Sequence, residues 1–156
     1  MEINNRFFSV PFLRSLFFMQ NKWHQHGILV HTLRVTYYTL KAGQFRMFMA
    51  ALLHDVGKPF TAFVKDEEDE IYGEYSFTDH EERSYQIIKN WPCISEYTKN
   101  LVRYHYLIRD IKKSATENPP RYAEKTKIWD SLDENMHEEL RIFLEFDDLG
   151  KGKKRR

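Results

Sequence analysis

The sequence predicts a single, mostly helical domain. Apolar residues recur at helical spacing through most of the chain, and Gly and Pro punctuate the stretches between. At 156 residues the chain is about one domain long and large enough to bury a core without disulfide staples. Its 42% hydrophobic and 30% charged residues, with a formal net charge of +1, are those of an ordinary globule. Twelve Phe, nine Tyr and three Trp give such a core large buried area.

The elements follow in chain order. Residues 7–19 are apolar but interrupted by Arg6 and Arg14, and no small-residue cleavage site follows. They read as a buried or capping helix that extends the domain at its N-terminal side, not as a signal or membrane segment. No other window has the apolar length that a bilayer demands, so a soluble, cytoplasmic protein with no membrane partner is expected. Residues 23–40 form a helix through Ile28, Leu29, Leu33, Val35, Tyr37 and Leu40, with Gly43 as its stop. Residues 44–56 are apolar on nearly every side through Phe45, Met47, Phe48, Met49, Leu52 and Leu53. They predict a central helix packed all round and ended by Gly57 and Pro59.

A small β-hairpin is expected over about residues 60–77, from two β-prone stretches separated by the acidic run 66–70. That run reads as a solvated turn, because it lacks the alternating ligand and glycine pattern of a calcium loop. Thr78 or Asp79 caps a helix over 80–90, with Glu81 and Glu82 in its first turn. Pro92 breaks the chain before a helix over 94–108. Residues 110–121 contain Asn118-Pro119-Pro120 and read as a loop bordering a pocket. Helices over about 123–130 and 136–149 close a domain that spans 1–149. The last seven residues, 150–156, hold five basic side chains and read as a flexible tail, whose contact with a polyanion is weakly indicated without interleaved aromatics. The single cysteine, Cys93, fits a reducing compartment and lacks an activating base nearby.

The chemistry lies in the order of metal-ligand residues. His54-Asp55, in Ala51-Leu52-Leu53-His54-Asp55-Val56-Gly57-Lys58-Pro59, joins two ligand side chains to the end of an apolar helix. His31 precedes it; His80, His105 and Asp147-Asp148 follow. Requiring Gly and Lys after the pair cuts chance matches by a factor on the order of a hundred. Lys58 stands three residues after Asp55, where an ammonium could neutralise charge on phosphoryl oxygens. The alternative is a solvent-facing lysine at a helix end.

These segments resemble the HD phosphohydrolase superfamily over roughly residues 26–150. Val30-His31-Thr32-Leu33-Arg34-Val35 is similar to its first His helix, Ala51 to Pro59 to its His-Asp helix end, and Phe77-Thr78-Asp79-His80-Glu81 to its third ligand segment. Tyr104-His105 matches the fourth and Phe146-Asp147-Asp148-Leu149-Gly150 the closing Asp segment. In local wording the chain is nearest the HD domains of tRNA nucleotidyltransferases; the sequence holds no nucleotidyltransferase domain, so CCA addition is not expected.

The resemblance implies an all-α HD-domain bundle with a metal site among its helices. His31, His54, Asp55 and Asp147 would hold one divalent ion; His80 and His105 would hold a second, bridged by Asp55, or contact phosphate if only one binds. Imidazole and carboxylate together suit Mn²⁺, Co²⁺, Ni²⁺ or Fe²⁺, with Mg²⁺ tolerated. The closing ligand is open by one residue, Asp147 or Asp148; the family's spacing to Gly150 favours Asp147.

The implied activity is metal-dependent hydrolysis of a nucleotide phosphomonoester or phosphodiester, a 2',3'-cyclic phosphate or RNA-end phosphate among them, by activated water. Asp55 and Lys58 are its catalytic residues. The alternatives are a non-catalytic nucleotide- or RNA-binding HD module, against which the intact ligand set speaks, and a di-iron oxygenase, against which Lys58 speaks. His24 and His26 line an entrance or serve as capping or surface residues; His137 faces solvent; Glu81 could orient a ligand imidazole or simply favour the helix start. Arg109, Lys112, Lys113 and Arg121 could meet further phosphates.

Overall fold

The computed structural model describes residues 10–18 and 20–153. It is an all-α bundle with one minimal ladder. Helix α1 (Val10–Phe17) leads through a loop into α2 (Ile28–Lys41), which starts later than the apolar periodicity suggests. The reason lies at Gly27. A Cβ there would stand 2.7 Å from the carbonyl carbon of Phe17, so the missing side chain lets the end of α1 cross the start of α2.

The buried face of α2 is only in part the one the apolar pattern marks. Ile28, His31, Thr32, Val35, Thr36 and Thr39 point inward, whereas Leu29, Leu33, Tyr37 and Leu40 are exposed. Burial of the threonines costs little because Thr36 and Thr39 each donate their hydroxyl to the carbonyl four residues back, at 2.8 Å.

The expected central helix over 44–56 is broken. A 3₁₀ turn (Phe45–Met47) enters the short α3 (Phe48–Leu53), and residues 54–57 form a turn before α4 (Lys58–Thr61). Met47 is buried, but Phe45 is exposed, so the aromatic and Met stripe is core only in part. Strands β1 (Ala62–Phe63) and β2 (Ser76–Phe77) pair antiparallel, Ala62 with Phe77 and Phe63 with Ser76. The hairpin is therefore present but shorter than expected. The acidic run between its arms is not a turn: it opens helix α5 (Glu67–Tyr72). Asp66 caps it by accepting the Asp69 N–H, and acids in a first turn favour the positive end of the helix dipole.

Helices α6 (His80–Ile88) and α7 (Glu96–Tyr104) pack together, and α7 stops at His105. The stretch read as a loop over 110–121 is instead α8 (Leu107–Glu117) running almost directly into α9 (Pro119–Asp130). Asn118 caps α9 by accepting the Arg121 N–H, and Pro119-Pro120 occupy its first turn, where no backbone donor is needed. Helix α10 (Glu134–Lys151) takes in Gly150 and Lys151, the first two residues of the expected tail; residues 154–156 of that tail, residues 7–9 and 19 of the expected N-terminal helix, and residues 1–6 before it lie outside the described residues. The core gathers Val35, Ala50, Ala51, Leu101, Leu140 and Phe143 where α2, α3, α7 and α10 meet. No described helix is long and apolar enough to cross a membrane.

Candidate metal centre

The break after α3 makes the centre. In a continuing helix His54 and Asp55 would diverge by about 100°; in the turn both face inward, and both are buried. That turn is pinned to α6. The Gly57 N–H donates to Ser84 Oγ at 2.9 Å, and Ser84 Oγ donates to the His54 carbonyl at 2.7 Å. A Cβ on Gly57 would lie 2.5 Å from both the His80 carbonyl oxygen and the Ser84 nitrogen, so a glycine here permits a close approach rather than an unusual backbone angle.

All six expected ligands converge, and all are buried. His31 Nε2 lies 3.0 Å from Asp147 Oδ1, 3.4 Å from Asp55 Oδ2 and 3.3 Å from His54 Nε2. His54 Nε2 lies 3.2 Å from Asp55 Oδ2. On the other side His80 Nε2 and His105 Nε2 each stand 3.6 Å from Asp55 Oδ1. Two triads could each hold an ion: His31, His54 and Asp147, and Asp55, His80 and His105. Asp55 sits between them with one oxygen toward each histidine pair.

The donor set fits divalent ions. Donors about 2.1 Å from an octahedral ion stand about 3 Å apart, close to the spacings around His31. Both oxygens of Asp55 are buried without a hydrogen-bond partner. Lys58 Nζ lies 2.7 Å from Oδ2 as an ion pair and donates to Gln20 Oε1 at 3.1 Å. Lys58 is therefore buried within the site and not a solvent-facing helix-end lysine.

Backbone carbonyls fix the histidine tautomers. His54 Nδ1 meets the Ala51 carbonyl at 2.8 Å, His80 Nδ1 that of Phe77 at 3.1 Å, and His105 Nδ1 that of Val102 at 2.7 Å. Each Nδ1–H donates, which leaves Nε2 bare toward the site, the arrangement that raises ligand basicity. His31 breaks the pattern: its Nδ1 is buried and has no hydrogen-bond partner among the described residues.

Charge follows the same geometry. Burial pushes the Asp55 carboxyl up, but His54 and Lys58 outweigh it and hold the group well below its ordinary range. Asp147 is likewise held well below against burial, by His31, Lys151 and Arg109. Burial lowers His31 despite its bond to Asp147, and takes His80 well below with Lys58 adding to the effect. His54 alone among the four ligand histidines is shown raised: burial lowers it, and the Asp55 carboxylate more than reverses that.

Asp148 projects outward and pairs with Arg109 at 2.8 Å, whereas Asp147 is in the cluster. Arg109 also donates to Asp147 Oδ2 at 2.9 Å, so it holds the closing carboxylate. Arg121 is likewise engaged, on Asp79 and Asp110 at 2.7 Å each. Glu81 Oε2 stands 3.4 Å from His80 Nδ1, where it can help orient that ring. His137 stacks on Trp129, away from the cluster, and His26 is half-buried. Gln20 was not separable in the sequence from an ordinary loop residue, since it lies in no motif; His24, noted there as an entrance or cap residue, is buried.

The HD domain family model matches residues 28–135. The chain belongs to the HD domain family. Most HD proteins are metal-dependent hydrolases, and the matched stretch carries five of the six clustered ligands. No curated protein and no solved structure matches the chain. Two cavities, of about 510 and 290 Å³, open beside the HD centre and share Asp79, Glu81 and Arg121 in their walls.

Proposed function

We propose that this HD protein is a metal-dependent phosphohydrolase that cleaves a nucleotide phosphomonoester or phosphodiester, 2',3'-cyclic phosphates and RNA-end phosphates included. The observation that carries the reading is the placement of Asp55, one oxygen toward His31 and His54, the other toward His80 and His105, with the Lys58 ammonium beside it.

His31, His54, Asp55 and Asp147 would hold one ion, and Asp55, His80 and His105 a second. Mn²⁺, Mg²⁺, Co²⁺, Ni²⁺ and Fe²⁺ all suit such nitrogen and oxygen donors to differing degrees. When bound, these ions supply Lewis acidity toward phosphoryl oxygens and lower the pKa of water toward ~7. Asp55 fixes the spacing of the two halves of the site. Arg109 holds Asp147 in place, and the three backbone carbonyls hold the imidazoles with Nε2 bare. Lys58, bonded to both Asp55 and Gln20, would neutralise charge that develops on the phosphoryl group, and buried surroundings strengthen such an interaction.

The test is metal analysis of the purified protein, then phosphate release from mononucleotides, triphosphates, 2',3'-cyclic nucleotides and generic phosphodiesters with Mn²⁺, Mg²⁺, Co²⁺ and Ni²⁺. Release that depends on metal and disappears in Asp55→Ala supports the reading. Wild-type turnover by Asp55→Ala would sink it, and failure to bind metal after reconstitution would favour a nucleotide- or RNA-binding module.

A further inference from the structure

His31 is the one ligand histidine whose Nδ1 has no backbone carbonyl, and that nitrogen is buried. To ligate through Nε2 a neutral imidazole must carry its proton on Nδ1, and that N–H needs an acceptor. Among the described residues, the buried acceptors without a hydrogen-bond partner near it are the Asp55 oxygens, of which Oδ2 stands 3.4 Å from His31 Nε2 on the metal side of the ring, and His24 Nε2.

The tautomer of His24 follows from its neighbours. Asn21 Oδ1 accepts the Trp23 backbone N–H at 3.2 Å, which assigns that atom as the oxygen of the amide. His24 Nδ1 lies 2.8 Å from the same oxygen, so Nδ1 bears the proton and Nε2 is a bare acceptor. The two rings stand edge to face with centroids 5.0 Å apart. The two nitrogens are not bonded to each other as the rings stand, so the pairing needs a turn of one ring or a single bridging water.

The flanking backbone brings the two segments to the same end of α10. His31 Nδ1 faces Gly150 of α10, where an added Cβ would lie 3.2 Å away. Gln25, next to His24, donates its N–H to the Lys151 carbonyl at 2.9 Å, which ties the His24 loop to that same end of α10.

We propose that His24 is a positioning residue of the metal centre: its Nε2 accepts the hydrogen of His31 Nδ1 when His31 ligates. It does for His31 what the carbonyls of Ala51, Phe77 and Val102 do for the other three rings. The loop between α1 and α2, which precedes the HD-matched stretch, is then part of the site, anchored in turn by Asn21. This rests on the metal-centre reading and adds a partner to it.

The experiment compares wild type with His24→Phe, which keeps a ring but has no acceptor, and His24→Gln, which restores an acceptor oxygen. Mn²⁺ affinity is read by titration, and His31 Nδ1–H and His24 Nε2 by ¹H–¹⁵N spectra of the Zn²⁺-loaded protein. Affinity should fall about 10–100-fold in His24→Phe and recover to within a few-fold of wild type in His24→Gln. Wild-type spectra should show a protected His31 Nδ1–H and a bare His24 Nε2. The proposal is overturned if the two variants bind Mn²⁺ alike, or if His24 Nε2 carries a proton or binds Zn²⁺ itself. Wild-type protein that binds no divalent ion would instead overturn the metal-centre reading as a whole.

Discussion

Substituting Gly150 by alanine tests whether the contact between α2 and α10 sets the ligand geometry. A Cβ at residue 150 would stand 2.3 Å from Val35 Cγ2 and 3.2 Å from His31 Nδ1 and Cε1. Carbon atoms in ordinary contact are about 3.5–4.0 Å apart, so the helices must separate by about 1 Å or the valine must leave its rotamer. Val35 is fully buried in the core and has no free space to turn into. Overpacking of this kind costs about 1–3 kcal/mol, and the gain in helix propensity from Gly to Ala offsets at most about 1 kcal/mol. With the full offset the net loss is up to about 2 kcal/mol, which lowers the melting temperature of a chain this size by up to about 8 °C. Because His31 and Asp147 sit on the two helices that move, Mn²⁺ affinity should fall about 10-fold as well. Thermal melts followed by circular dichroism and Mn²⁺ titration measure the two effects. A Gly150→Ala protein that melts at or above wild type and binds Mn²⁺ equally well would refute the reasoning.

Four further outcomes are expected. Asp147→Asn loses metal content and Asp148→Asn keeps it, measured by elemental analysis; the opposite result would reassign the closing ligand. Lys58→Met retains bound metal while kcat drops about 10²-fold or more in a phosphate-release assay. Gly57→Ala, whose Cβ would meet backbone atoms of α6 at 2.5 Å, is more destabilising than Gly150→Ala in the same melts. In the metal-free protein, His24, His31 and His80 are lowered by burial, so the unfolded chain takes up protons there first. Their stability contribution is complete above the ordinary histidine value of 6.5 and is lost as pH falls below it toward their folded values. The raised His54 and the raised Glu81 act in the opposite sense, each losing its contribution as pH rises through its folded value, but they are two groups against three. Urea midpoints should therefore fall between pH 7 and pH 5, and a flat profile would contradict this.

The ligands were legible in the sequence because His and Asp are chemically specific and occur in a fixed order, so no fold was needed to notice them. Their second-layer partners were not. The carbonyls of Ala51, Phe77 and Val102 carry no side-chain signature, and Arg109 reads as a phosphate contact until the fold brings it from α8 to Asp147 on α10. Apolar spacing found α2, but of the residues that marked it Ile28 and Val35 face inward, while a helix that must present His31 and small threonines to the core leaves Leu33 and Tyr37 outside. The double proline at 119–120 read as a loop because Pro marks both the breaking and the starting of helices, and only the cap on Asn118 separates the two.

The convergence of His31 and Asp147 also has a thermodynamic side. These residues come from near opposite ends of the described chain, on α2 and α10, and their donor atoms lie 3.0 Å apart. An ion held by both acts as a reversible cross-link that closes a loop over most of the sequence, with His54, His80 and His105 as further tie points. Such a link removes entropy from the unfolded chain as a disulfide would, in a protein whose single cysteine cannot form one internally. Occupancy then stabilises the fold by RT ln(1 + [M]/Kd), about 2.7 kcal/mol at a hundredfold excess over Kd. The supply of metal would thereby govern how long each molecule persists folded.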